Sequence, residues 1–95
     1  MLLNFDWDQW NIQKNESKHG ISRLEAESVF FDRNLVIFKD EIHSTDKEKR
    51  WIAYGMSMNS KILMCAFTIR KERVRIISCR VSSKKERSIY EKDKK

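Results

Sequence analysis

Between Arg50 and Arg80 lie three runs, Arg50–Met58, Lys61–Arg70 and Arg73–Arg80, each rich in β-branched, aromatic and aliphatic residues. Only two residues separate each run from the next, so an antiparallel meander is the simplest connection. With two-residue loops, Met58 opposes Lys61 and Arg70 opposes Arg73. One face then carries Ile52, Tyr54, Met56, Leu63, Cys65, Phe67, Ile69, Val74 and Ile76, and is apolar enough to lie beneath helices. The other carries Trp51, Thr68, Arg70, Arg73 and Arg75. Lys71–Glu72 lacks the residues that favour tight hairpins, and a slip of one residue would exchange the faces.

The flanking segments read as helices with their own boundary signals. Leu2–Phe5 can form a short strand. Asp6 can cap a first helix with Gln9 as its reciprocal partner and Phe5–Trp10 as a hydrophobic staple. Gly20 is placed to end this helix, with His19 in its last turn. Ser22 and Glu25 form a second capping box, after which Ala26, Val29 and Phe30 line one face as far as Asp32–Asn34. Leu35–Phe38 is a short apolar strand and Lys39–Lys49 a polar loop. Ser83 and Glu86 make a third box, opening a last helix through Tyr90. The expected fold is therefore α+β: two N-terminal helices packed on an antiparallel sheet, then a C-terminal helix. At 95 residues without repeats or a Pro- or Gly-rich linker, the chain reads as one domain over residues 1–91, with a basic solvated tail at 92–95.

The net charge of +6 is segregated: residues 1–69 carry −1 and residues 70–95 carry +7. Such a field attracts phosphate, or an acidic protein partner. No apolar run is long enough to span a bilayer, and Met1–Asp8 is too short and acidic for a signal peptide, so a cytoplasmic location is expected. Cys65 and Cys79 have no metal-ligand spacing and read as two buried, reduced thiols. No cofactor or metal is expected. Arginines around an exposed Trp51 suit single-stranded nucleic acid, with guanidinium groups on phosphates and the indole against a base. Equally, Trp51 can simply pack over arginine stems.

A series of short motifs resembles one family. Phe5-Asp6-Trp7-Asp8 opens it. Asn15 with Lys18-His19-Gly20-Ile21-Ser22 follows, then Glu25-Ala26, Val29-Phe30 and Asp32. His43, then Glu48, Arg50, Trp51 and Gly55, continue the order. Phe67-Thr68 with Arg70, Arg75-Ile76-Ile77-Ser78 with Arg80, and Glu86-Arg87 with Tyr90 complete it. Over roughly nine-tenths of its length the chain resembles the BrnT toxins. It departs from them at Asn11, where the family usually has Lys, at Cys79, where it usually has Ala, and in the basic tail.

The resemblance implies a RelE-like fold and the role of toxin in a type II toxin–antitoxin pair. It implies a ribonuclease that inhibits translation, is neutralised by a BrnA-like antitoxin, and reaches operator DNA only through the antitoxin complex. A homodimer or a toxin–antitoxin heterotetramer is compatible with it. Metal-independent RNA cleavage by the 2′-hydroxyl needs a base, an acid and cations for the phosphorane. Arg50, Arg70 and Arg80, at motif positions and strand ends, are candidates to stabilise that charge, and are expected to gather around His43. They could instead be surface ion pairs with Glu48 or Asp40. His43 is the acid or base candidate, because histidine changes charge near neutral pH; Glu48 is the alternative base. Lys18, Trp51, Arg73, Arg75, Lys84 and Tyr90 are candidate RNA contacts, although Tyr90 is also suited to docking its helix. A non-catalytic nucleic-acid-binding or operon-regulating subunit, or an inactive toxin that still binds its antitoxin, remains the alternative.

Overall fold

The computed structural model describes residues 3–93. Its elements run β1 (Phe5–Asp6), α1 (Gln9–His19), α2 (Arg23–Ser28), a 3₁₀ turn (Val29–Phe31), β2 (Val36–Lys39), β3 (Arg50–Met56), β4 (Ile62–Arg70), β5 (Arg73–Val81) and α3 (Lys84–Asp93). The strands form one sheet in the order β1-β5-β4-β3-β2. Strands β2 to β5 are antiparallel, whereas β1 pairs parallel with β5 through Phe5–Val74 and Asp6–Arg75, so the sheet is mixed. The expected tail divides: Lys92 and Asp93 belong to α3, and residues 94–95 lie outside the described residues. So do Met1 and Leu2; the first strand falls at Phe5–Asp6 rather than Leu2–Phe5.

The two hairpin turns decide which face is which. Lys71 and Glu72 both take positive φ, 50° and 64°, which a two-residue loop matched to strand twist requires. Arg70 opposes Arg73 as expected. The other turn corrects the expected register. The amide of Ser57 donates to the Lys61 carbonyl, and Ser60 enters the left-handed region at φ 61°. The loop therefore holds three residues, not two, and Met56 pairs with Ile62. That slip turns β3 over relative to the expectation. Trp51, Ala53 and Gly55 join Leu63, Cys65 and Phe67 under the helices, while Arg50, Ile52, Tyr54 and Met56 face the opposite side, where Tyr54 is nonetheless buried.

A second irregularity lies between β4 and β5 at Ala66/Phe67. Beyond it the register advances by one residue, which places Cys79 directly opposite Cys65. The two cysteines are joined as a disulfide, correcting the expectation of separate reduced thiols. A bulge leaves no mark in composition, so their juxtaposition could not be read from their spacing.

The core lies between the sheet and the N-terminal helices, with Ile21, Ala26, Val29 and Phe30 against Ala53, Leu63, Phe67 and Ile76. The helix N-cap is Asp8, whose Oδ1 accepts from the Trp10 amide at 2.7 Å, not Asp6. Trp10 is consequently exposed and forms no staple, whereas Trp7 packs on the core and donates to Glu27 at 2.7 Å. Gly20 closes α1 at φ 66° as expected.

Several motif residues serve the scaffold. Asn15 is buried and its Oδ1 accepts from the Cys79 amide at 3.1 Å, joining α1 to β5. Ser22 caps α2 through the Glu25 amide. The Glu25 carboxylate turns instead to the Ser57 hydroxyl at 2.8 Å, and Ser28 accepts from the Met58 amide at 2.8 Å. Asp32 Oδ2 accepts from the Met56 amide and from the Tyr90 hydroxyl, at 2.8 and 2.6 Å. The three-residue turn and α3 are thus tied to the helical layer by side chains of α2 and its extension.

Candidate active site

The side of the sheet opposite the N-terminal helices carries cationic residues in cross-strand rows. Arg50, Thr68 and Arg75 form one row; Tyr54, Met64 and Arg80 form another. Four residues of β4 separate them, about 13 Å at a rise of ~3.3 Å per residue.

Around the second row lies a hollow of about 430 Å³. Phe38, Ile52, Tyr54 and Met64 supply its apolar lining, and Arg80, Glu86 and the Asp40–His43 loop its polar lining. The Ser83–Glu86 capping box forms as expected: Ser83 Oγ accepts from the Glu86 amide at 3.2 Å, and Glu86 Oε1 from the Ser83 amide at 2.7 Å. The same carboxylate grips Arg80 end-on, with Nη1 and Nη2 donating at 2.8 and 2.9 Å. Nη1 also donates to the Val81 carbonyl at 3.2 Å. Of five guanidinium N–H groups, the Nε–H and one Nη2–H then have no acceptor among the described residues. His43 Nδ1 sits 2.8 Å from Asp40 Oδ2, an arrangement that leaves Nε2 for other partners. Burial and the nearby Glu86 charge push the Tyr54 hydroxyl above its ordinary range, so it stays protonated.

The other arginines gather elsewhere. Glu48 accepts from Arg70 Nη2 at 2.8 Å and lies 3.4 Å from Arg50 Nε. Arg75 donates to Asp6 and Asp8 at 3.1 and 3.2 Å. Arg70 is six residues along β4 from Met64, roughly 20 Å. The single pocket expected from Arg50, Arg70, Arg80 and His43 is therefore two clusters, His43 with Arg80 and Glu48 with Arg50 and Arg70. Strand ends on opposite ends of a nine-residue strand cannot converge.

The remaining candidates are dispersed. Arg73 is exposed beside the β4–β5 turn and shares a polar hollow with Asp6, Arg70 and Lys71. Lys18 lies in the last turn of α1 and Lys84 begins α3, both exposed. Trp51, expected on the open face, packs against the core and lines an apolar hollow with Phe30, Leu35 and Phe67. Tyr90 is buried and docks α3 on Asp32; burial first, then the Asp32 hydrogen bond, push its hydroxyl up to about 12. Sequence reasoning put Tyr54 on the helix-covered face through the register slip, gave Phe38 no face, and read Glu86 as a cap and a motif residue. Among the described residues, no three His, Cys, Asp or Glu cluster as metal ligands, and no helix is long and apolar enough to cross a membrane.

The family described as ribonuclease toxin, BrnT, of type II toxin–antitoxin systems has a model that matches residues 7–86. The chain belongs to this family. A BrnT of known structure, the Brucella abortus ribonuclease toxin, has a similar fold: TM-score 0.65 at 22% identity, covering 87% of this chain and all of that one. No curated relative matches the chain. Membership in the BrnT family makes the chain a ribonuclease toxin by class, with RNA as substrate and an antitoxin as partner. The matched span includes every residue of the His43–Arg80 hollow, as well as the Glu48 cluster.

The ion pairs set a pH dependence. Arg70, then Arg50, hold the Glu48 carboxyl below its ordinary 4.5. For Glu86, burial opposes ionisation, but the Arg80 and Ser83 hydrogen bonds outweigh it and the net shift is also downward. Depressed carboxyl pKa values stabilise the fold above about pH 4.5, and that contribution is lost as pH falls through the folded values. The raised Tyr90 acts oppositely: its contribution is complete below its ordinary 10.0 and lost as pH rises towards about 12. Thermal melts should show both limbs, with Glu86→Gln flattening the acid limb and Tyr90→Phe the alkaline one.

Proposed function

We propose that this toxin is a metal-independent endoribonuclease of the RelE-like kind, that it cuts RNA in the His43–Arg80 hollow, and that it inhibits translation until a BrnA-like antitoxin covers it. One observation carries the reading. Glu86 holds the end-on fork of Arg80, so the side-on pair Nε–H and Nη2–H has no acceptor among the described residues, in the same hollow as a histidine oriented by Asp40. A planar N–H pair of this kind matches two phosphate oxygens.

In the reaction the 2′-oxygen bonds to phosphorus and the bond from phosphorus to the 5′-oxygen breaks. His43 Nε2 takes the 2′-hydroxyl proton, and Arg80 stabilises the phosphorane charge. The leaving oxygen takes up a proton and departs as a 5′-hydroxyl, leaving a 2′,3′-cyclic phosphate. Glu48 suits the base role poorly, because the arginines that lower its pKa also weaken it as a proton acceptor. It serves instead to hold Arg50 and Arg70, which with Arg73 and Arg75 line the RNA path. Lys18 and Lys84 are exposed cations that can add phosphate contacts, Trp51 belongs to the core, and Tyr90 supports α3.

Purified protein incubated with RNA in EDTA should leave 5′-hydroxyl and 2′,3′-cyclic phosphate ends. Intact RNA, or ends carrying a 5′-phosphate, overturns the mechanism; RNA bound but uncut favours the non-catalytic alternative.

A further inference from the structure

We infer that Phe38, backed by the buried Tyr54 and with Ile52 and Met64 beside it, forms a nucleobase platform next to Arg80, so that the hollow takes one unstacked nucleotide with its base on the apolar floor and its phosphate on the guanidinium. The inference rests on the ribonuclease reading and adds to it the part of the substrate that is recognised. Three features meet here. Phe38 projects from edge strand β2 and remains 39% exposed, although it packs edge-to-face on Tyr54 at 5.1 Å between ring centroids. Ile52 and Met64 extend the apolar surface directly to the row of Arg80. Arg80 keeps N–H groups with no acceptor among the described residues.

A floor of this composition is a poor seat for inorganic phosphate alone, which needs only the cation. It suits a base, whose flat face makes dispersion contacts with aromatic and thioether groups and demands no hydrogen-bond partner. Single-stranded RNA is recognised through such splayed bases. Trp51 cannot supply the aromatic surface, since it faces the core. The placement also explains why Phe38 can stay partly exposed on a short edge strand: its outward surface is the binding surface.

The test uses the intact protein and two probes, a nucleoside 3′-monophosphate and inorganic phosphate, with NMR shift mapping and titration. The nucleotide should shift Phe38, Ile52, Tyr54 and Met64 as well as Arg80, and bind about tenfold more tightly than phosphate, as one base stacked on an aromatic surface provides. Phosphate should shift Arg80 and leave the floor unmoved. Phe38→Ala should abolish the tenfold advantage while changing phosphate affinity less than twofold, and Phe38→Trp should retain it. Equal affinity of the wild-type protein for both probes, or nucleotide shifts that bypass the floor, overturns the inference whether or not any variant folds. Should RNA still be cut under that result, the ribonuclease reading stands without it, so the two fail separately.

Discussion

Replacing Arg80 with alanine is expected to lower the rate of RNA cleavage by about 10²–10³-fold, the usual loss when a preorganised donor to a transition-state charge is removed. Growth arrest on expression should be relieved in parallel. The alanine variant also strips Glu86 of its arginine partner, leaving only the Ser83 amide, so a loss of activity could reflect a disturbed α3. Arg80→Lys separates the two effects. Lysine keeps the charge beside Glu86 but has no planar fork, so the fold should survive while most of the rate is still lost. His43→Ala should reduce the rate without moving the melting temperature, because the imidazole is largely exposed and bonds only within its own loop. Wild-type cleavage rates in the Arg80 variants would remove Arg80 from the mechanism.

The second large effect concerns stability. Gly55 lies on β3 where the 3₁₀ turn crosses it. A Cβ there would stand 2.8 Å from Val29 Cγ1, 2.9 Å from Leu35 Cδ1 and 3.0 Å from the Val29 carbonyl oxygen. Val29 is fully buried, and its branched side chain has little rotamer freedom to yield. Gly55→Ala should therefore cost roughly 1–3 kcal/mol, the range for forcing a group into a packed core. For a domain of this size that is a melting temperature lower by about 4–8 °C per kcal/mol. Gly20→Ala provides the contrast. No atom lies within 4 Å of its added Cβ, so only the left-handed backbone opposes it, at ~1 kcal/mol. Calorimetry finding Gly55→Ala as stable as the parent would mean that the helical layer stands further from the sheet than described.

Much of the scaffold was legible because its signals are local. Gly20 and the Ser22 and Ser83 caps each act over a few residues, and each was found where the pattern put it. Side-chain periodicity was legible too, but not its sign. A third loop residue at Ser60 sent Trp51 inward and Tyr54 outward, and no Gly or Asn–Gly pair marked the difference. The site was divided in the same way. His43 and Arg80 could be nominated from motif and chemistry, but which arginines share a pocket depends on strand length and register. Of the partners that orient them, Asp40 was read as a possible arginine ion pair and Glu86 as a cap and motif residue, and neither was matched to the side chain it holds.

The parallel seam between Phe5 and Val74 joins the first strand to the last. During synthesis, residues near the N-terminus leave the ribosome many seconds before their strand partner at ordinary elongation rates. Until then β1 has no strand to pair with, and β5, which carries Arg80, has yet to exist. The sheet, and with it the row that carries Arg80, can therefore close only once the chain from β1 through β5 has been made.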